Sequence, residues 1–190
     1  SFTTVSTGGF SPYQESFGHF ESALLEWICI VGMLLAGGSF TLYWRALRGN
    51  VKPLLRSTEF HVYLAFVGAI TLWAFVTAGN NGGQSTGFRD ALFTAASTVT
   101  TTGYVATEYG LWSQTSQSLL LIALPLGAMA GSTAGGIKLL RVMAVSSFAH
   151  RAALKHLHPK LVRPVRVGSA SLSDDVAGKG VGFLLRALVI

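Results

Sequence analysis

Thr98-Val-Thr-Thr-Thr-Gly-Tyr104 is an echo of Thr4-Val-Ser-Thr-Gly-Gly-Phe10 earlier in the chain. Gly103 falls on Gly9 at a spacing of 94 residues, and Ala134-Gly-Gly136 falls on Ala36-Gly-Gly38 at a spacing of 98. A long unit is therefore written twice, with four residues inserted in the second copy. Each copy reads as a polar Thr/Gly loop followed by a long apolar helix. In a membrane chain, duplicated Thr-x-Gly-aromatic loops point to an ion-selective pore with several equivalent loops around one axis.

The composition places the chain in a membrane. Half of its 190 residues are hydrophobic and 12% are charged, about half the charged share of soluble domains. The net charge of +6 is uneven. Arg45, Arg48, Lys52 and Arg56 form one basic cluster, residues 141–166 hold a second, and Arg89 is the only Lys or Arg from 59 to 137. A nucleic-acid binder would keep such residues on a solvated face. Here they stand at the ends of apolar runs, as in the cytoplasmic loops of a multispanning protein. Cys29 is the only cysteine, which excludes an intrachain disulfide or a multi-cysteine metal site. The polar start and the apolar run at 180–190 suggest an internal piece of a longer protein with no signal peptide.

The apolar stretches set out the organisation. Residues 23–43 are long enough to cross a bilayer once, which takes roughly 20 residues, with Trp27 and Trp44 near the ends. A second span is expected at 60–78, closed by the turn cluster at 79–83. Residues 87–101 are too short to cross; they read as a re-entrant pore helix, or else as a surface helix or loop. Residues 113–147 are too long for one ordinary span and are interrupted at 127–136 by glycines, each costing on the order of 1 kcal/mol in a helix. Two half-helices joined by a loop inside the membrane are expected, a tight-packing kink being the alternative. Residues 148–178 read as a basic cytoplasmic linker. With the basic clusters inside, both Thr/Gly loops open from the outer side.

A cation leaving water needs oxygen ligands that replace its hydration shell, as rings of backbone carbonyls do in potassium channels. The candidate carriers are Thr7, Gly8 and Gly9 in one copy and Thr101, Thr102 and Gly103 in the other, with Thr7, Gly8, Thr101 and Thr102 as K+ ligands. Phe10 and Tyr104 would wedge the loops from behind. Lys138 is a cation in an apolar run, where charge usually faces a cavity or a partner, or snorkels to the nearby membrane face.

Ser6-Thr-Gly-Gly-Phe-Ser11, Thr100-Thr-Thr-Gly-Tyr104 and Gly131-Ser-Thr-Ala-Gly-Gly-Ile-Lys138, in this order, resemble the TrkH/KtrB superfamily of potassium-uptake proteins, closer to the TrkH branch. The likeness covers nearly the whole chain, including His158-Pro159. It implies an all-α integral membrane protein of four helix–pore loop–helix repeats around one pore. Residues 1–47 would end the second repeat, with its filter loop and inner helix, and 48–58 would be a cytoplasmic loop. Residues 59–147 would be the third repeat: outer helix, pore helix, filter loop and broken inner helix. A linker at 148–179 and the start of the fourth repeat at 180–190 would follow. Gly131, Ser132, Thr133, Ala134, Gly135, Gly136 and Lys138 would form an intramembrane gating loop below the filter. Ala134 stands where the family more often has Gly, and Tyr104 where Phe is commoner.

The resemblance further implies K+ uptake or symport across a bacterial inner membrane, with K+ as the transported ion and no covalently bound cofactor. Membrane lipid, a homodimer mate and a TrkA-like cytoplasmic nucleotide-binding subunit are the expected partners. No enzymatic activity and no nucleic acid are expected. One rival is an unrelated multispanning transporter that binds an anionic solute at broken helices. A second is a membrane hydrolase using Ser132 and His150. His150, His156 and His158 read as a solvated basic loop rather than a metal site, and Glu21 and Glu26 as interfacial carboxylates.

Overall fold

The computed structural model describes residues 2–13, 16–20, 22–78, 87–107, 110, 112–157, 165–167 and 170–172. Its helices, in chain order, are α1 (Phe2–Val5), α2 (Ala23–Ala36), α3 (Phe40–Leu47), α4 (Lys52–Leu55), α5 (Thr58–Ala78), α6 (Phe88–Val99), α7 (Gln114–Ala123) and α8 (Leu139–Leu157). Two three-residue strands, β1 (Val165–Val167) and β2 (Ala170–Leu172), pair antiparallel with Val165 opposite Leu172. That hairpin stands in the expected linker; the apolar part of the chain is helical, as anticipated. The turn cluster at 79–83, Glu21, His158 and the start of a fourth repeat lie outside the described residues.

α5 is the expected second span. Its 21 residues rise about 1.5 Å each, which matches a hydrocarbon core of roughly 30 Å. Among the described residues it is the one unbroken helix long and apolar enough to cross a membrane. Tyr63, Val67, Ile70 and Ala74 recur at helical spacing and are buried, while Leu64, Leu72, Trp73 and Val76 are exposed. The buried stripe packs on α6 and α7; the exposed one suits lipid. Thr71 and Thr77 donate their hydroxyls back to the carbonyls of Val67 and Trp73, so neither is left unpaired in apolar surroundings.

α6 occupies the expected pore-helix position and is enclosed. Ala91, Ala95 and Val99 face α5, and Phe93 and Ala96 face Ile30 and Met33 of α2. Small side chains let the neighbouring backbones come close. At its start, the Gly87 N–H donates to Asp90 Oδ2 at 3.0 Å, satisfying one of the free amides of a helix end.

The span expected as one helix at 23–43 is broken instead. α2 and α3 meet at 98° across residues 37–39. A Cβ on Gly37 would lie 2.5 Å from Tyr63 Oη and 2.8 Å from Thr100 Cγ2, so only glycine permits this approach. The carbonyls freed by the break find partners outside the helix. Leu34 O accepts from the Tyr63 hydroxyl, Ala36 O from Thr133 N–H, and Gly37 O from Met129 N–H. A break inside a bilayer is tolerable only when such groups are satisfied by protein.

Two further expectations are corrected. α8 runs on to Leu157, so residues 148–157, assigned to the linker, are helix. Glu26 is not an interfacial, solvated carboxylate: it is 8% exposed and paired with Arg89.

Candidate filter loops and intramembrane gate

The two Thr/Gly loops share a backbone signature. Thr7 and Thr101 have φ of 50° and 53°, and Gly9 and Gly103 have φ of 66° and 80°. These are the residues that fall on one another in the repeat. For threonine this left-handed region is a genuine outlier; its appearance at both equivalent positions marks a shared, imposed shape.

The loops touch. A Cβ at Gly9 would lie 2.1 Å from the Thr102 carbonyl oxygen, so the absent side chain is what brings the loops together. Thr102 is 3% exposed, and its hydroxyl meets Thr100 Oγ1 at 2.7 Å. The Thr102 side chain is therefore engaged within its own loop.

Tyr104 is 5% exposed and sits behind the loops. Its hydroxyl lies 2.5 Å from Thr3 Oγ1 and 3.3 Å from Thr4 Oγ1, so it bridges one copy to the other. Ser97 donates to the Tyr104 carbonyl at 2.8 Å, and Phe17 packs edge-on at 4.7 Å between centroids. Phe10, at the equivalent position, is 79% exposed in this chain, and the wedge geometry is seen at Tyr104.

Between α7 and α8 the chain leaves the helix, as expected for a broken inner helix. The neck of the loop is closed by main chain: Gly127 N–H donates to Ile137 O and Ile137 N–H to Pro125 O, both at 2.8 Å. Gly131 and Gly136 turn with φ of 76° and 70°. Ala134, with 4% exposure, buries its methyl in the core beside Ala128 and Met129.

The loop is held from several sides. Ala130 N–H donates to Glu59 Oε1 at 2.5 Å, and Phe40 N–H to Gly131 O at 3.1 Å. The Lys138 ammonium meets Ser132 O, Ser132 Oγ and Ala134 O; it ties the loop to itself. Ser132 also donates to Met129 O at 2.6 Å, which commits the hydroxyl that a hydrolase would need as nucleophile. The loop meets both Thr/Gly loops. Thr7 Oγ1 lies 3.0 Å from Thr133 O, Thr133 Oγ1 lies 2.9 Å from Val5 O, and Gly135 N–H donates to Thr101 Oγ1 at 2.6 Å. The structure thus brings the residues proposed for filter and gate into one cluster.

Glu59, Tyr63 and Ser97 were not anticipated. Glu59 had one visible signal, an acid at the mouth of an apolar span. Tyr63 and Ser97 carry none, because their partners lie on other elements or on main chain.

A family model described as TrkH, cation transport protein, matches residues 1–80 and 81–190. The Trk system potassium uptake protein TrkH of Halomonas elongata is 31% identical over 186 residues, 96% of this chain and 39% of that protein. Its namesake in Escherichia coli is 27% identical over 190 residues, again covering 39% of the relative. The crystal structure of the potassium transporter TrkH from Vibrio parahaemolyticus superposes with a TM-score of 0.88 at 28% identity, covering 96% of this chain and 40% of that one. The chain spans about two fifths of the length of these relatives. It belongs to the TrkH family of cation transport proteins.

Proposed function

We propose that the chain supplies two filter loops and the gate of a multi-pass protein that takes up K+ across a bacterial inner membrane. The observation that carries this reading is the matched pair of left-handed residues, Thr7 with Gly9 and Thr101 with Gly103. Such a backbone presents carbonyl oxygens toward a common axis, where they stand in for the water shell of a monovalent cation. The loop at 131–136 lies against both threonines and forms the gate. No bond of the cargo is made or broken, so the protein is a transporter and not an enzyme.

Two loops make half of a fourfold ring. A Cβ on Gly103 would meet nothing within 4 Å, whereas the same atom on Gly9 would strike Thr102. Ser97 and Thr98, the equivalents of Thr3 and Thr4, line a cavity of about 420 Å³ together with Tyr104, Gln117 and Leu120. In the repeat logic this is the seat of a following loop, whose aromatic would enter as Tyr104 enters beside Thr3 and Thr4. In this reading the protein works in membrane lipid as a homodimer, under a TrkA-like nucleotide-binding subunit.

The test is uptake by the full-length protein in K+-depleted cells. Gly103→Asp and Gly9→Asp each put a carboxylate into a main-chain-lined site and are expected to abolish K+-selective uptake. Unaltered K+/Na+ discrimination in both variants sinks the filter assignment.

A further inference from the structure

Thr7 and Thr101 hold a backbone conformation that costs a non-glycine residue on the order of 1–3 kcal/mol. Its effect is to turn both hydroxyls toward the loop at 131–136, and the two meet it differently. Thr101 Oγ1 accepts the Gly135 N–H at 2.6 Å. Thr7 Oγ1 lies 2.8 Å from Ser6 O and 3.0 Å from Thr133 O, and between two acceptors it can only donate.

A hydroxyl oxygen binds a cation through the same lone pairs with which it accepts a hydrogen bond. The amide hydrogen is the positive end of its bond, so it and a cation repel one another at a shared oxygen. Thr7 gives away its proton and keeps its lone pairs, so a cation there leaves its contact with Thr133 intact. At Thr101 the two are rivals.

We propose that Thr101 Oγ1 is a shared ligand, holding the Gly135 N–H while the gate is closed and the transported cation when one reaches the inner end of the filter. Arrival of the cation unlatches the Gly135 side of the loop. The Thr133 side, bound to Thr7 and Ala36, stays attached as a hinge. Permeant ion and gate are thereby coupled at one oxygen. This rests on the filter reading above.

Ala134, 4% exposed in the closed loop, provides the reporter. In the full-length protein in liposomes, with its native cysteines replaced, Ala134→Cys is labelled by a water-soluble thiol reagent in K+ or in the impermeant N-methylglucamine. K+ is expected to raise the labelling rate about fivefold, as for the loss of one neutral hydrogen bond. Thr101→Ser keeps the response. Thr101→Val labels fast in both cations. Equal rates in the two cations for the Ala134→Cys protein, or a K+ response that survives Thr101→Val, overturn the proposal. If Gly103→Asp meanwhile loses K+/Na+ discrimination, the filter reading stands and only the shared ligand falls; if discrimination is unchanged, both fall.

Discussion

The Nε of Arg89 stands 2.5 Å from Oε2 of Glu26, joining the first turn of α6 to the first turn of α2. A cation at a helix N-terminus opposes the helix dipole, whereas a carboxylate favours it. Glu26 therefore serves its own helix and also offsets the misplaced charge on the next repeat. The bond fixes where the pore helix begins along the inner helix of its neighbour.

Removing Arg89 takes away the cation that faces Glu26, and removing Glu26 leaves Arg89 only the longer contact to Asp90 Oδ1 at 3.9 Å. Breaking a fully buried pair costs roughly 3–5 kcal/mol; with the Arg89 side chain 39% exposed, about 2 kcal/mol is the expectation. Glu26→Ala and Arg89→Ala should each lower the melting temperature of the purified full-length protein. The double variant should lose less than the two single losses combined. Strict additivity in thermal melts would show that the pair contributes nothing.

Gly9→Ala meets both a left-handed backbone, costing about 1–2 kcal/mol for an L-residue, and the Thr102 carbonyl 2.1 Å from the new Cβ. It should abolish K+-selective uptake. Gly103→Ala meets only the backbone cost within this chain. If a following loop closes the ring as proposed, Gly103→Ala in the full-length protein is as damaging as Gly9→Ala. Selective uptake retained in Gly103→Ala and lost in Gly9→Ala would leave the ring open at that side.

Deleting residues 132–135 removes Thr133 and Gly135, the contacts to Thr7 and Thr101. K+ flux through the full-length protein should rise, and ion preference should be largely kept, because the deletion removes partners of the Thr7 and Thr101 side chains but none of the proposed filter residues themselves. Lys138→Gln frees the carbonyls of Ser132 and Ala134 from their ammonium partner and should act in the same direction, more weakly. A well-folded deletion variant with unchanged or lower flux would make the loop a packing feature.

Glu59 holds the loop from the outer helix through the Ala130 amide. Glu59→Ala removes that acceptor and should raise K+ flux. Glu59→Gln keeps an acceptor oxygen and should restore most of the closed behaviour, although a hydrogen bond to a charged group, worth about 1.5–3 kcal/mol, becomes a weaker neutral one. Flux assays on the pair of variants, at matched protein abundance, decide it. Equal effects of Ala and Gln would remove the role of the carbonyl oxygen at this site.

The two Thr/Gly loops were legible because the repeat writes the same residues twice, and Gly9 and Gly103 turn out to share one backbone sign. α5 was legible from length and lack of charge alone. The break at 37–39 was not, although Ala36-Gly37-Gly38 had been matched to the broken second copy. Gly37 keeps a helical φ of −72°; the turn is completed by carbonyl partners at 129 and 133, far along the chain. Glu26 was misread for a similar reason: its burial depends on Arg89, on another repeat.

The clasp between 125, 127 and 137 has a mechanical consequence. Because the neck is closed by its own amides, the residues above it form a ring of fixed circumference rather than a slack tether. Such a ring moves as one piece, and a bond on its rim can part without the interior unravelling. Substitutions along the rim then tune how hard the ring is held. Residues added or removed at the neck would change its reach instead.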